Sequence, residues 1–254
     1  MSPATKKALA KLGAGLFWLC LWILLSALVD QQLLLPSPLR VLWTLLHLAA
    51  GTEFWLTIVN SLARILSGML IGTILGVCLA VLTHWSAVCR ALLSPFMSLV
   101  KSTPVASFII LALIWLGRGV VPLFITALMI LPVVWANVSQ GLAAQDEKLR
   151  EVALVFCLPR GRVLRALTLP TVLPYFRSAL CSVLGLGWKA GVAAEVLTVP
   201  QRSVGRMIYE SKLYLETPEL FAWTLTVILL SFLIERLLLR LVSKLWRKGD
   251  DGHA

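Results

Sequence analysis

Six long apolar runs, separated by shorter polar segments, make up most of the chain. They cover approximately residues 12–29, 60–84, 92–116, 120–142, 175–199 and 219–242. Each is close to the roughly 20 residues that an α-helix needs to cross a hydrocarbon core. The pattern therefore predicts an all-α integral membrane protein with six transmembrane helices in a single domain, residues 1–254. Residues 39–50 predict a short amphipathic helix outside the membrane.

The first run has an alternative interpretation, because Lys6, Lys7 and Lys11 precede it. A basic start followed by an apolar core is also typical of a cleavable signal peptide. Such a core is usually about 7–15 residues long and ends in an A-x-A-like site, which this run matches poorly. We therefore interpret residues 12–29 as a retained first span that follows a cytoplasmic N-terminus.

Residues 143–170 form the main polar interruption, and Glu151–Pro170 is its most polar part. It predicts two short helices around Leu158-Pro159, because proline disfavours the helical conformation in the residue before it. A charged helix–turn–helix between two spans is suited to contact with a partner at the membrane surface. Glu151 could stabilise the start of the first helix or pair with a basic residue of that partner. Alternatively, it is a solvated charge.

Composition and charge placement support a membrane protein. Only 14% of the residues are charged, against about 25% in typical soluble domains, and the mean hydropathy is +0.90. The net charge of +11 could suggest nucleic acid. However, the basic residues flank the apolar runs, so we expect no nucleic-acid partner. With six spans, most basic residues outside the spans lie on the side of the N- and C-termini, which predicts an N-in, C-in topology with residues 143–170 in the cytoplasm.

One face of the second span carries small residues at every fourth position. They are Gly68, Gly72, Gly76 and Ala80. Four small residues on one helix face allow another helix backbone to approach closely. This spacing predicts a helix-packing contact, although glycine is common in membrane helices for no specific reason.

The fifth run contains ionisable residues, which are costly inside a membrane and are functional candidates by default. Trp188, Val192 and Glu195 share a helix face and could line a translocation path together with Lys189. Alternatively, Glu195 lies near the outer interface and pairs with a basic residue for assembly. For Lys101 we expect the long side chain to reach the membrane surface.

The sequence contains no recognisable catalytic or metal-binding constellation. It has no G-x-x-x-x-G-K-[ST] phosphate loop and no G-x-S-x-G or H-E-x-x-H motif. Its five cysteines are odd in number and lack metal-type spacing. We therefore expect neither an enzyme nor a metal site, and no cofactor in this chain.

Residues Glu151–Pro170 resemble the cytoplasmic motif of binding-protein-dependent ABC importer permeases. That motif runs Glu-Ala-Ala, three residues, Gly, about nine residues, and a hydrophobic-x-Leu-Pro ending. Further motifs resemble the nitrate/sulfonate/taurine branch in order and spacing. They are Leu35-Pro-Ser-Pro38, Ser61-Leu-Ala-Arg64 followed by Gly68, Pro104-Val-Ala-Ser-Phe-Ile109, Trp115-Leu-Gly117, Leu173-Pro174 and Trp188-Lys-Ala-Gly-Val-Ala-Ala-Glu195.

The resemblance implies a six-span permease of the type I importer fold in the bacterial inner membrane, in contact with lipid. It would pair with a second permease, usually an identical copy, with two ATPase subunits that use ATP and Mg²⁺, and with an extracytoplasmic solute-binding protein. The cargo would be a small solute, such as a sulfonate, taurine or nitrate. The residues that the resemblance assigns to coupling with the ATPase are Glu151, Ala153, Cys157, Leu158, Pro159, Arg160, Leu169 and Pro170.

The sequence departs from the motif where Cys157 stands in place of the glycine. We therefore expect the bend to move to Leu158-Pro159, with Pro159 and Gly161 supplying the turn. Two other functional classes stay open at this point. One is an ATP-independent channel or secondary transporter, and the other is a membrane scaffold that transports nothing.

Overall fold

The computed structural model describes residues 3–250, and every regular element among them is helical. The side chains of residues 3–11, 238–239 and 241–250 are not described. They include the side chains of six cations that the sequence places on the inner side. They are Lys6, Lys7, Lys11, Lys244, Arg247 and Lys248.

The helices follow one another with short connections. They are α1 (Pro3–Val29), α2 (Pro38–Ala49), α3 (Thr52–Trp85), α4 (Ala87–Ser102), α5 (Val105–Trp115), α6 (Val121–Ala143), α7 (Glu147–Val155), α8 (Arg160–Val163), a π-helical segment (Leu164–Thr168), α9 (Leu169–Thr198), α10 (Val204–Leu213) and α11 (Thr217–Asp250).

Within residues 3–250, five helices are long and apolar enough to cross a membrane. They contain Leu12–Val29, Thr52–Trp85, Val121–Ala143, Arg160–Thr198 and Thr217–Leu237. The number reaches the six predicted spans when the bent pair α4 and α5 is counted as one. The predicted helix over residues 39–50 is α2.

The expectation of one continuous helix over residues 92–116 is wrong. The chain instead forms α4 and α5, whose axes differ by 109°. Pro104 has no N–H group and disfavours the helical conformation at the residue before it. Thr103 accordingly has an extended backbone, with φ −84° and ψ 134°.

The centre of the bundle is the packing of α3, α6 and α9. Built at Gly72, a Cβ atom would lie 2.6 Å from the backbone oxygen of Ala127 in α6, and at Gly68 it would lie 2.5 Å from that of Leu123. Gly76 lies as closely against Val134, and Ala80 is fully buried. The small-residue face of α3 therefore lies directly on the backbone of α6.

Outer helices complete the bundle around this centre. Ile234 of α11 joins the core formed by α3, α6 and α9. A separate cluster joins Phe54 of α3, Val204 of α10 and Trp223 of α11. The helix α1 is peripheral, because its candidate span has no buried residues, and Trp22 stacks on Phe221 of α11.

The helix bundle has two ends, which differ in the helices that they contain. The α10 end holds α2, the start of α3, α10 and the start of α11. The α7 end holds the end of α3, the end of α6, and α7 with α8. A helical stretch of 39 residues, Arg160–Thr198, runs from the α7 end to the α10 end.

Candidate functional site

The polar segment at the α7 end begins with a short capped helix. The Asp146 side chain accepts a hydrogen bond from the Lys148 backbone N–H, at 2.9 Å, and so caps the start of α7. The helix therefore begins four residues before Glu151, and the expectation that Glu151 stabilises its start is wrong. Glu151 lies in the second turn and is exposed, whereas Ala153 alone of the nine residues of α7 is buried.

The turn after α7 is centred on Cys157. This residue adopts a left-handed conformation, with φ +50°. The Leu158 N–H donates to the Ala153 carbonyl and the Cys157 N–H donates to the Leu154 carbonyl, both at 3.0 Å. These two bonds define a Schellman motif, which usually has glycine at the left-handed position. The cysteine thus adopts the conformation that a glycine would favour at the same position.

The expected displacement of this bend is therefore wrong. Pro159 has an extended backbone and precedes α8, so it starts the next helix instead of forming the turn. Gly161 lies inside α8, and no glycine among the described residues has a positive φ. The residues Leu169 and Pro170 begin α9, which continues from α8 through the π-helical segment.

Apolar side chains are exposed around this turn. Leu154, Val155 and Phe156 are 72%, 79% and 72% exposed. The basic residues that follow, Arg160, Arg162 and Arg165, are also exposed. A contiguous apolar patch with a polar rim is typical of a protein–protein contact. We call Leu154, Val155, Phe156 and Leu158 the coupling patch.

Glu195 lies at the other end of the bundle in a buried polar network. Its side chain is fully buried and accepts hydrogen bonds from Ser61 Oγ at 2.7 Å and from Arg64 Nη1 at 2.6 Å. A third bond, at 3.3 Å, comes from the backbone N–H of Gly205. The sequence left two alternatives for Glu195, a place in the translocation path or a pair with a basic residue. The structure contains the pair, with Arg64.

The four residues predicted to line a translocation path do not share an accessible surface within this chain. Trp188 is 2% exposed and belongs to the core of α3, α6, α9 and α11. Val192 is partly buried against the same core, whereas Lys189 is exposed. The periodicity groups Trp188, Val192 and Glu195 on one face of α9, but that face packs inward.

Sequence reasoning missed the partners of Glu195. Both Ser61 and Arg64 belong to a sequence motif that resembles the permease branch, but the motif indicates no role for either. Arg64 lies inside the predicted second span, where an unpaired cation is costly, so its charge was a usable signal for a partner. The third donor could not be found in this way, because it is the backbone N–H of Gly205 and depends on the packing of α10.

The sequence is similar to those of known transport permeases. The chain is 27% identical to the taurine transport system permease protein TauC of Escherichia coli over 241 residues, which covers 92% of this chain and 87% of the relative. It is 26% identical to the putative aliphatic sulfonates transport permease protein SsuC of Bacillus subtilis, with 92% and 86% coverage.

The fold matches a chain in the crystal structure of an amino acid ABC transporter with histidines. The TM-score is 0.57 at 15% sequence identity, and the match covers 76% of this chain and 94% of that chain. This likeness shows the fold. The relatives and the family match identify a multi-pass inner-membrane permease subunit of an ABC importer and confirm the predicted family resemblance. Because residues 68–247 match the family model described as binding-protein-dependent transport system inner membrane component, the chain belongs to that family.

Proposed function

We propose that the α7 end of this permease binds an ATPase subunit through the coupling patch. The observation that carries the proposal is the exposure of Leu154, Val155 and Phe156 at the end of a capped helix. Large apolar side chains that cluster on an exposed turn gain free energy when a partner covers them. Glu151, Arg160, Arg162 and Arg165 supply charges beside the patch that can orient the partner.

The proposed topology places this end in the cytoplasm, where ATP is available. Two ATPase subunits that use ATP and Mg²⁺ would bind a pair of permeases, each through one coupling patch. This chain contributes no nucleotide-binding loop, so the energy of hydrolysis reaches it as differential contact with the two states of the ATPase pair. A second copy of this chain is the proposed permease partner, and a solute-binding protein is the proposed partner at the α10 end.

The proposed cargo is a small organic or inorganic anion. The support is the similarity to permeases named for taurine and for aliphatic sulfonates, each over more than nine-tenths of this chain. A binding screen on the cognate solute-binding protein, with taurine, alkanesulfonates and nitrate as probes, tests the class. Binding of neutral sugars in place of every anion would contradict it.

The docking proposal is tested by co-purification with the ATPase. We expect Glu151→Lys to reduce recovery of the ATPase and to uncouple transport, while membrane insertion is unchanged. Glu53→Lys is a matched control for recovery of the ATPase, because Glu53 is exposed but lies at the α10 end. Normal recovery and transport with Glu151→Lys, and again with Leu154, Val155 and Phe156 all changed to Ser, would contradict docking at this patch.

A further inference from the structure

The start of α10 is bound by two other helices. Among its first N–H groups, that of Arg206 donates to Oγ of the N-cap Ser203, at 3.1 Å. The N–H of Val204 donates instead to Ser61 Oγ of α3, at 2.8 Å. The first N–H groups of a helix have no intrahelical partner. Here side chains of two other helices supply the acceptors. Ser61 of α3 accepts from Val204, and Glu195 of α9 accepts from the N–H of Gly205.

The carboxylate of Glu195 is the common acceptor of this junction. Its Oε2 atom accepts from Ser61 and Gly205, and its Oε1 atom accepts from Arg64. A negative charge at a helix N-terminus is favoured by the helix dipole, and burial strengthens the effect. Three elements, α3, α9 and α10, therefore meet at one side chain that has no exposed surface.

Steric contact makes the same junction stiff. A Cβ atom built on Gly205 would lie 2.3 Å from Cβ of Glu195 and 2.4 Å from the backbone nitrogen of Val196. The backbone of α10 therefore packs so closely on α9 that position 205 has no room for a side chain. A shift of α9 at this point cannot occur without moving α10, because closely packed interfaces do not deform continuously.

The helical stretch Arg160–Thr198 connects this junction to the coupling patch. It begins directly after the turn at Cys157 and ends three residues beyond Glu195. At about 1.5 Å per residue, its 39 residues extend roughly 58 Å. This stretch is helical without interruption, although it includes the π-helical segment Leu164–Thr168, and it is a physical connection between the two ends of the bundle.

We propose that Glu195 is a positioning residue that transmits movement of this helix to α10 and α3. The inference rests on the proposed docking of an ATPase at the coupling patch. Displacement of the patch moves the helix, and the bonds of Glu195 carry the movement to the start of α10. Arg64 orients the carboxylate through its hydrogen bond at 2.6 Å, and Ser61 connects the same carboxylate to α3.

The movement transmitted to α10 would alter a cavity at the α10 end. This cavity, of about 500 Å³, lies between α10 and the adjoining parts of α2, α3 and α11. Arg206, Met207 and Glu210 of α10 form one wall, opposite Phe54 and Trp223. Movement of α10 against α11 changes the shape of this cavity, so the state of the ATPase is communicated to the extracytoplasmic side.

Hydrogen exchange of the assembled permease–ATPase complex tests the inference. The complex is compared without nucleotide and after trapping with ATP and vanadate. In the unaltered protein we expect trapping to change exchange both in residues 147–163 and in residues 204–213. With Glu195→Gln, which keeps the size of the side chain and removes its charge, the response of 147–163 remains and that of 204–213 is lost. The N–H groups of Val204 and Gly205 also exchange about tenfold faster without nucleotide.

The matched control is Glu210→Gln. Glu210 also accepts from an arginine, at 2.7 Å, but the pair with Arg206 lies within α10 and is partly exposed. This variant should keep both responses. If Glu195→Gln prevents assembly, Ser61→Ala and Arg64→Lys are measured by the same criterion, and loss of the α10 response is again expected.

Distinct outcomes separate this inference from the docking proposal. A normal response of α10 in the Glu195, Ser61 and Arg64 variants would overturn the transmission role. So would a response of residues 147–163 without any response of α10 in the unaltered protein. If trapping left residues 147–163 unchanged in the unaltered protein, the docking proposal itself would fail, and the inference with it.

Discussion

The coupling patch and the Glu195 junction are both polar interruptions in an apolar chain, but they are built in opposite ways. Around Cys157 the apolar side chains face outward and Ala153 is the buried residue. Around Glu195 the charges face inward and every hydrogen bond closes within the chain. The first arrangement leaves large apolar side chains exposed, whereas the polar groups of the second are paired within a single chain.

The difference between the two regions bears on the role of a charged side chain inside a membrane protein. An intramembrane carboxylate is a candidate for contact with cargo, yet Glu195 is fully occupied by Ser61, Arg64 and Gly205. Its function must then be exerted through its partners. Conversely, the side chains that we propose contact an ATPase at the patch are apolar and exposed, with charged residues around them. Replacing side chains in the coupling patch and in the Glu195 junction tests this contrast.

The largest expected effect is on stability, from Glu195→Ala. The change leaves Arg64 with a side chain that is only 17% exposed and no carboxylate. Breaking a buried ion pair in this way costs about 3 kcal/mol, at the low end of the usual range because Arg64 keeps some exposure. Thermal unfolding of the purified permease should show a decrease in Tm of roughly 6–12 °C.

Glu151→Ala is the comparison for this measurement. Glu151 is exposed on α7, and its removal should change the free energy of unfolding by less than about 0.5 kcal/mol. Equal decreases in Tm for the two variants would contradict the distinction between a self-contained junction and a surface that awaits a partner.

The second effect is on affinity, from Phe156→Asp. Phe156 is 72% exposed, so the stability of the permease alone should be nearly unchanged. Loss of a large apolar contact in an interface typically costs about 2 kcal/mol, so the Kd for the ATPase should rise roughly 30-fold. Titration of labelled ATPase onto permease in nanodiscs measures it.

Leu213→Asp is the control for Phe156→Asp. Leu213 is 61% exposed but lies at the α10 end. Its replacement should leave the Kd for the ATPase unchanged. A similar loss of affinity in both variants would indicate a nonspecific effect of the added charge and would remove the support for the coupling patch.

Much of the fold could be predicted from the sequence, because hydrophobic run length and glycine spacing are local properties. The apolar runs predicted the helices α1, α3, α6, α9 and α11, and six of the ten helix ends lie within two residues of the predicted ends. The break at Pro104 was not predicted as a bend of 109°, because a proline indicates where a helix can break but not the direction of the chain beyond it.

The functional residues were less predictable, for a different reason. Glu151–Pro170 could be found because the motif is continuous in sequence. The Glu195 junction joins residues 134 positions apart, Ser61 and Glu195, and depends on one backbone N–H. Periodicity places Glu195 on a helix face but does not indicate whether that face meets water, lipid or another helix. The packing of α3 and α10 against α9 decides which of these it meets.

The smallest expected effect, from Cys157→Gly, tests the geometry of the coupling turn. Cys157 has φ +50°, a conformation that costs a non-glycine residue about 1 kcal/mol. Glycine removes that cost but loses about 0.5–1 kcal/mol through the greater freedom of the unfolded chain. The net gain should be at most about 0.5 kcal/mol, and exchange of the Leu158 N–H, which is bonded to Ala153, should slow by about twofold.

Cys157→Val provides the opposite change at the same position. A β-branched side chain is poorly tolerated at positive φ, so exchange of the Leu158 N–H should accelerate and the affinity for the ATPase should fall modestly. If the turn instead bent at Leu158-Pro159, glycine and valine at position 157 would differ little. A faster exchange with glycine than with valine would therefore contradict the left-handed turn, and with it the way in which α7 presents Phe156 to a partner.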